Sequence, residues 1–368
     1  MAPLPSALRL PRPHARRSMR QRGAALLVAL LTVTLVATFA AAALWQQWRA
    51  TEVEAAERAR LQSAWVLVSA LDWARLILRE DALNDARLKA GASATGVVGS
   101  SHKRPADHLG EPWAIPLAEV QLRAFLSAEQ NVAADQLDDL PQAYLSGRIV
   151  DASSKLNVRN LVANGQPSEP AVRAFQKLFA ILSLPQEQVT TLVRGLQRVW
   201  PAAPGKDTEG DAGAGPQAGR SDADVPLTPS RLEDLVWVGL PASTLEALKP
   251  YATVLPAAAP TKVNINTASA EVLAASSEKL DLAGAQRLVE QRQREYFDTL
   301  EMANALLPNL DAPLSSALHG VDTQYFEVHG RLRLDRLWVE EHSLLQRNGA
   351  TLQVLWRDRG AGTETRRP

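Results

Sequence analysis

Residues 24–44 form an uncharged run of 21 in which only Thr32, Thr34 and Thr38 are not apolar. No charge occurs anywhere from Gly23 to Trp48. At about 1.5 Å per residue a helix of this length is roughly 30 Å long, the thickness of a hydrocarbon core. A chain carrying such a run must lodge it in a membrane or cover it completely. Arg9, Arg12, Arg16, Arg17, Arg20 and Arg22 precede the run and Glu52, Glu54 and Glu57 come after it. The positive-inside bias therefore predicts a cytoplasmic N-terminus, with the rest of the chain on the far side of the membrane.

The charge balance has the same asymmetry. The 368 residues hold 40 Lys+Arg and 40 Asp+Glu, a formal charge of zero. All six charges in residues 1–23 are arginines, so 34 bases face 40 acids in residues 24–368. The extracytoplasmic part is acidic, which gives it no general attraction for nucleic acid or acidic lipid. Cysteine is absent, which excludes disulfides, Cys-ligated zinc, iron–sulfur clusters and a cysteine nucleophile. An apolar fraction of 46% with 22% charged residues is ordinary globular material of two or three domains.

The apolar run has three readings. A cleaved secretory signal has an A-x-A-like site within residues 40–43, but the run exceeds the usual h-region of roughly 7 to 15 residues. A plain uncleaved anchor explains the length. The third reading rests on Arg20, Gln21, Arg22, Gly23 and Ala24, a basic stretch ending in Gly directly before the apolar residues. This junction resembles the leader of type IV prepilins and type II secretion pseudopilins. The resemblance implies cleavage after Gly23 by a prepilin peptidase and Ala24 as the new, methylated N-terminus. Shaft subunits of these families carry glutamate where Val28 stands, and the minor pseudopilin class called protein K characteristically lacks it, as this chain does.

Beyond the membrane, residues 49–80 lack Pro and Gly and are rich in helix formers, with Leu61, Ala64, Val68, Leu71 and Leu78 as the stripe expected to meet a sheet. Residues 91–110 read as a loop holding His102 and His108, continued by Glu111, Pro112 and Trp113 to Pro116. Residues 144–157 read as a strand running into a turn, and helical spacing is expected from Val158 to Trp200. Residues 201–230 hold five glycines and five prolines and read as a loop. Helices are expected from Arg231 to about Leu307, then an antiparallel meander of three β-runs beginning at Tyr325.

This order is that of an α+β protein: a long N-terminal transmembrane and spine helix on a small antiparallel sheet, interrupted by a large all-α insertion. It resembles type II secretion system protein K, a pseudopilin fold with an inserted SAM-like helical domain. The expected divisions are a leader at 1–23, a transmembrane helix at 24–44 and a spine with the first part of the pseudopilin domain at 45–157. The inserted helical domain comes next at 158–310, and the C-terminal sheet at 311–368. The resemblance implies a minor pseudopilin that caps a periplasmic pseudopilus and helps start its assembly. Its implied partners are other minor pseudopilins of the I and J types, the major pseudopilin, the prepilin peptidase and the inner membrane.

Three segments invite a chemical reading. Asp207, Glu209, Asp211, Asp222 and Asp224 offer hard oxygen ligands of the kind calcium takes, and the resemblance implies calcium near this position. Residues 213–221 miss a P-loop by spacing, by Arg220 in place of Lys and by Pro216. Residues 262–273, from Lys262 through Asn264, Asn266, Thr267 and Ser269 to Leu273, are the most distinctive local sequence. They resemble protein K and also the helix-hairpin-helix module of membrane-anchored DNA receptors, the alternative reading. Residues 262–301 hold five bases against seven acids, which argues against phosphate binding. Glu340, Glu341 and His342 fall in a strand, where neighbours point to opposite faces. No catalytic constellation is legible, and no enzyme is expected.

Overall fold

The structure, a computed structural model, describes residues 21–94, 105–122, 143–201, 227–256, 260–308, 310, 313–334 and 337–363. It divides into two units, Met1–Ala64 and Trp65–Pro368. A single helix, α1 (Gln21–Ala94), supplies all described residues of the first unit and the opening of the second. It runs past Glu80 because residues 81–90 are again helix formers, and it ends three residues after Gly91.

In the second unit β1 (Leu117–Gln121), β2 (Ala143–Asp151), β9 (Tyr325–Leu334), β10 (Leu337–Asn348) and β11 (Thr351–Thr363) form one antiparallel sheet. They lie side by side in that order. The three C-terminal strands are the expected meander. β1 lies in a stretch with no strand-like alternation and pairs with β2 through an irregular register.

Leu67, Leu71, Ala74 and Leu78 of α1 are buried, at helical spacing. Leu71, Ala74 and Leu78 pack with Trp113, Phe326, Val328, Leu345 and Leu352. Leu67 packs with Leu122, Ala143, Leu145 and Leu332. The stripe therefore runs through Leu67 instead of Val68, while Leu61 is 61% exposed. Gly147 and Gly330 oppose each other across β2 and β9 under this helix, and a Cβ on Gly330 would stand 3.3 Å from Leu67. Bare backbone at that point lets helix and sheet approach closely.

Residues 152–324 leave the sheet between β2 and β9 and form their own core, continuous from Leu156 to Leu314. Helical spacing from Val158 is only partly realised. A 3-10 turn (Val158–Leu161) leads into a hairpin of β4 (Val162–Ala163) and β5 (Gln166–Pro167). Asn164 and Gly165 turn it at φ of 50° and 75°, the left-handed pair that an Asn-Gly dipeptide supplies. Next come α2 (Glu169–Ile181) and α3 (Glu187–Val199). After a 3-10 stretch (Glu233–Val238) closed by Gly239 in the left-handed region come α4 (Ala242–Leu248), α5 (Ala270–Ser276), α6 (Leu282–Arg294) and α7 (Leu300–Ala305). Two short parallel pairs tie the block together: β3 (Leu156–Asn157) with β6 (Ala252–Thr253), and β7 (Val263–Asn264) with β8 (His319–Gly320).

α3 lies so close to the 3-10 stretch that a Cβ on Gly195 would sit 2.7 Å from both Val238 Cβ and its carbonyl oxygen. Gly195→Ala is expected to cost about 1–3 kcal/mol by overpacking, read as a lower thermal midpoint.

Candidate functional site

The N-terminal part of α1 is built for an apolar surround. From Ala24 to Arg58 every residue is exposed, and Leu26, Leu27, Leu31, Val33 and Phe39 each show 65% or more of their surface. Monomeric soluble proteins rarely expose a contiguous apolar surface of that extent. The three hydroxyls in the run are satisfied internally, since Thr32, Thr34 and Thr38 donate to the carbonyls of Ala29, Leu31 and Leu35 at 2.9, 2.9 and 2.8 Å. Nothing polar is left for lipid to solvate. Trp45 and Trp48 close the run, with the Arg49 guanidinium 5.0 Å from the Trp45 ring centre, an interfacial aromatic girdle. Val28 is 62% exposed on this helix.

The distinctive segment 262–273 turns inward. Asn264, Asn266 and Thr267 are buried. Asn264 Nδ2 donates to Asp107 O at 3.0 Å and to Asp151 Oδ2 at 2.8 Å, and Thr267 Oγ1 donates to Asp151 Oδ2 at 2.5 Å. Asn266 exchanges two 2.9 Å hydrogen bonds with the backbone of Phe297. Ser269 caps α5 by accepting from Val272 N, with Glu271 in the first turn. These side chains complete backbone and carboxylate hydrogen bonding, which leaves none of them for nucleic acid.

The following loop fails the phosphate test as well. Lys177 of α2 donates to the carbonyls of Ser277 and Leu280 at 2.7 and 2.6 Å. Gly284 N, which a phosphate would need, donates to the capping Asp281 carboxylate at 2.7 Å. The DNA-receptor alternative has no support in this geometry.

A second polar centre joins α1, the sheet and the insertion. Arg347 on β10 is 8% exposed and donates to Asp81 Oδ2 at 2.7 Å, Asp107 Oδ1 at 2.5 Å and Thr323 O at 3.0 Å. Asp107 also accepts from Thr323 N at 2.6 Å. Glu111 accepts from His108 N at 2.9 Å and from Trp113 Nε1 at 2.7 Å. Burial pushes Asp107 up to about 7 against the pull of Arg347. Burial and the nearby Asp81 push Glu111 up to about 8. Of the three neighbouring carboxylates, Asp81 and Asp107 share the Arg347 guanidinium, whose positive charge already fills the centre.

A third cluster occupies the sheet face opposite α1. Glu327 and His329 alternate onto that face from β9, and register sets His342 of β10 directly beside His329. The two imidazoles stack with centres 4.0 Å apart and planes at 18°, and Trp356 meets His342 edge-on at 4.8 Å. Lys155 Nζ donates to Glu327 Oε2 at 2.7 Å and Thr253 Oγ1 to Oε1 at 3.4 Å. Burial opposes ionisation of Glu327, yet the two rings and the ammonium hold it well below the usual carboxylate range. Burial also lowers His329. A cavity of about 490 Å³ opens over the cluster, lined by Arg148, Lys155, Arg231, Lys249 and Trp356 among others.

The residues expected to act are only partly within view. Gly23 and Ala24 stand in the first turns of α1. Asp207, Glu209, Asp211, Asp222 and Asp224 lie outside the described residues, as do His102 and the P-loop-like stretch 213–221. His108 stacks on Tyr296 with ring centres 3.9 Å apart. Glu341 and His342 do point apart: Glu341 accepts from Arg359 at 2.5 Å on the α1 side of the sheet. Glu327, His329 and His342 are not among the residues that motif reasoning singles out as a set, although their signal is written in the sequence. Glu-x-His in one strand and a His equidistant from the hairpin turn in the next must meet on one face.

Two family models described as "Type II secretion system (T2SS), protein K" match residues 154–257 and 263–322. A curated relative, the type II secretion system protein K of Pseudomonas aeruginosa, is 28% identical over 348 residues, covering 93% of this chain and 94% of the relative. The fold resembles a chain in the crystal structure of the GspK–GspI–GspJ complex from the enterotoxigenic Escherichia coli type 2 secretion system. That match has a TM-score of 0.56 and 19% identity, and it covers 83% of this chain and 98% of the other. These comparisons bear out the resemblance to protein K, and the long apolar helix on an antiparallel sheet is the pseudopilin fold. The relatives matched are secretion proteins, and α1 fits a membrane-anchored one.

Proposed function

We infer that this chain is a protein K of a type II secretion system, a minor pseudopilin that caps the periplasmic pseudopilus. The observation that carries this reading is the continuity of the likeness: one relative is matched over 93% of the chain, from the membrane helix through the insertion to the final sheet. The chain works by assembly and not by catalysis. Its anchor sits in the inner membrane with the arginine-rich leader in the cytoplasm, and the bulk of the chain lies in the periplasm.

Several features support the position at the tip. Val28 leaves the membrane helix without the carboxylate that would pair with a subunit above it. The helical block inserted between β2 and β9 has a core of its own, and a block of that size hinders close stacking along a shaft. Minor pseudopilins of the I and J types are the partners at that tip, as the complex of the E. coli relative suggests, and the major pseudopilin forms the shaft below. The leader is removed by the prepilin peptidase. N-terminal sequencing of the protein recovered from membranes is expected to begin Ala24, Ala25, Leu26. A protein that keeps its leader, or one cut near residues 40–43, overturns the reading.

A further inference from the structure

We propose that Glu327, His329 and His342 form a site for a divalent transition ion of the zinc class on the sheet face opposite α1. Two imidazole nitrogens and a carboxylate oxygen are a donor set that suits zinc and its neighbours and leaves coordination positions open. Their ligand atoms all lie within 4.8 Å of one another. Glu327 Oε2 is 3.6 Å from His329 Nε2 and 3.8 Å from His342 Nε2. Two ligands at about 2.1 Å from one ion stand at most about 4.2 Å apart, so both separations already fit.

Three further observations point to a ligand. His342 Nε2 is buried and has no hydrogen-bond partner among the described residues, although Glu327 Oε2 is its neighbour. Such an orphaned nitrogen is costly unless something occupies the space in front of it. The cavity of about 490 Å³ supplies that space. Thr253 Oγ1 holds the other oxygen of Glu327, the outer-sphere contact that fixes a ligating carboxylate.

The ammonium of Lys155 is the ion's competitor, because it sits on the same Oε2 at 2.7 Å. Binding displaces it and tilts the two stacked rings apart so that both Nε2 lone pairs converge. The site therefore exchanges an internal cation for an external one at constant burial of Glu327. This exchange distinguishes it from the Arg347 centre, where the guanidinium is held by two carboxylates and a carbonyl.

The test uses the full chain in detergent, with Co²⁺ as the spectroscopic probe and Zn²⁺ for stability. Wild type is expected to take up one Co²⁺ with the visible absorption of low-symmetry nitrogen–oxygen coordination. His329→Gln/His342→Gln is expected to weaken Zn²⁺ binding by about 100-fold or more, since loss of an outer-sphere partner alone costs up to that much. Its metal-free unfolding midpoint serves as the check on folding. Lys155→Met decides the matter independently: it is expected to unfold earlier than wild type without metal, and Zn²⁺ is expected to raise its midpoint more than that of wild type. Absence of the Co²⁺ absorption overturns the site. So does equal stabilisation by Zn²⁺ of wild type and the double variant, or failure of Zn²⁺ to favour Lys155→Met.

Discussion

Arg347→Met is expected to lower the thermal midpoint of the folded domain by roughly 10 °C, the equivalent of about 3–5 kcal/mol lost when one partner of a buried ion pair is removed. Methionine keeps most of the volume and the contact with the Phe326 ring, over which the guanidinium now lies at 4.7 Å, so packing loss is small. Asp81 and Asp107 are left without their common counter-charge, and the Thr323 carbonyl without a donor. The deficit carries a pH signature. Asp107 already sits above its unfolded value, at about 7, because of burial, and removing Arg347 takes away the main force pulling it back. A carboxyl raised in the folded state contributes stability below its unfolded pKa of 3.8 and loses that contribution as pH rises through its folded value. The variant therefore falls furthest behind wild type above pH 7 and recovers toward it as pH approaches 4. Parallel thermal melts of the two proteins across that range check it, and a deficit that grows on acidification would contradict the assignment.

Val28→Glu is the second large change, and it acts on assembly instead of on the fold. The side chain is exposed on a helix long and apolar enough to cross a membrane. A carboxylate there costs roughly 2.5–3.5 kcal/mol on insertion scales unless a neighbour compensates it. The variant is expected to leave crosslinks characteristic of the tip and to appear in crosslinks with the major pseudopilin, where subunit amino termini supply the compensating charge. Its yield in the membrane fraction is expected to fall if no such place is found. Tip crosslinks at wild-type intensity would show that the missing glutamate does not set the position.

Much of this arrangement can be read from residues alone, because it rests on strong local periodicities. The apolar run of residues 24–44 has no competing interpretation as a strand or loop, and the C-terminal meander alternates over three consecutive segments. Periodicity fails where a feature depends on a partner distant in sequence. It puts the helical stripe on Val68 because it does not see Gly330, whose missing side chain lets Leu67 enter. β1 has no pattern of its own and is a strand because β2 offers an edge. Asn264 and Asn266 look like surface polar residues until Asp151 and the Phe297 backbone are brought to them. The Asn164–Gly165 hairpin, by contrast, is visible in the chain and is masked only by the helical spacing after it.

The pairing of Asp151 with Phe326 across β2 and β9 also carries a cost in chain closure. Joining those two strands while the residues between them are still an open coil means closing a loop of about 170 residues, at an entropy cost of about 4.5 kcal/mol plus a constant. Once the insertion has collapsed on its own core, with its two ends joined where Thr323 Oγ1 donates to Ser153 Oγ at 2.8 Å, most of that cost has already been met. The inserted block thus acts as a clasp, and the pairing of β2 with β9 is expected to follow its folding, whereas the β9–β10–β11 hairpins need no such closure.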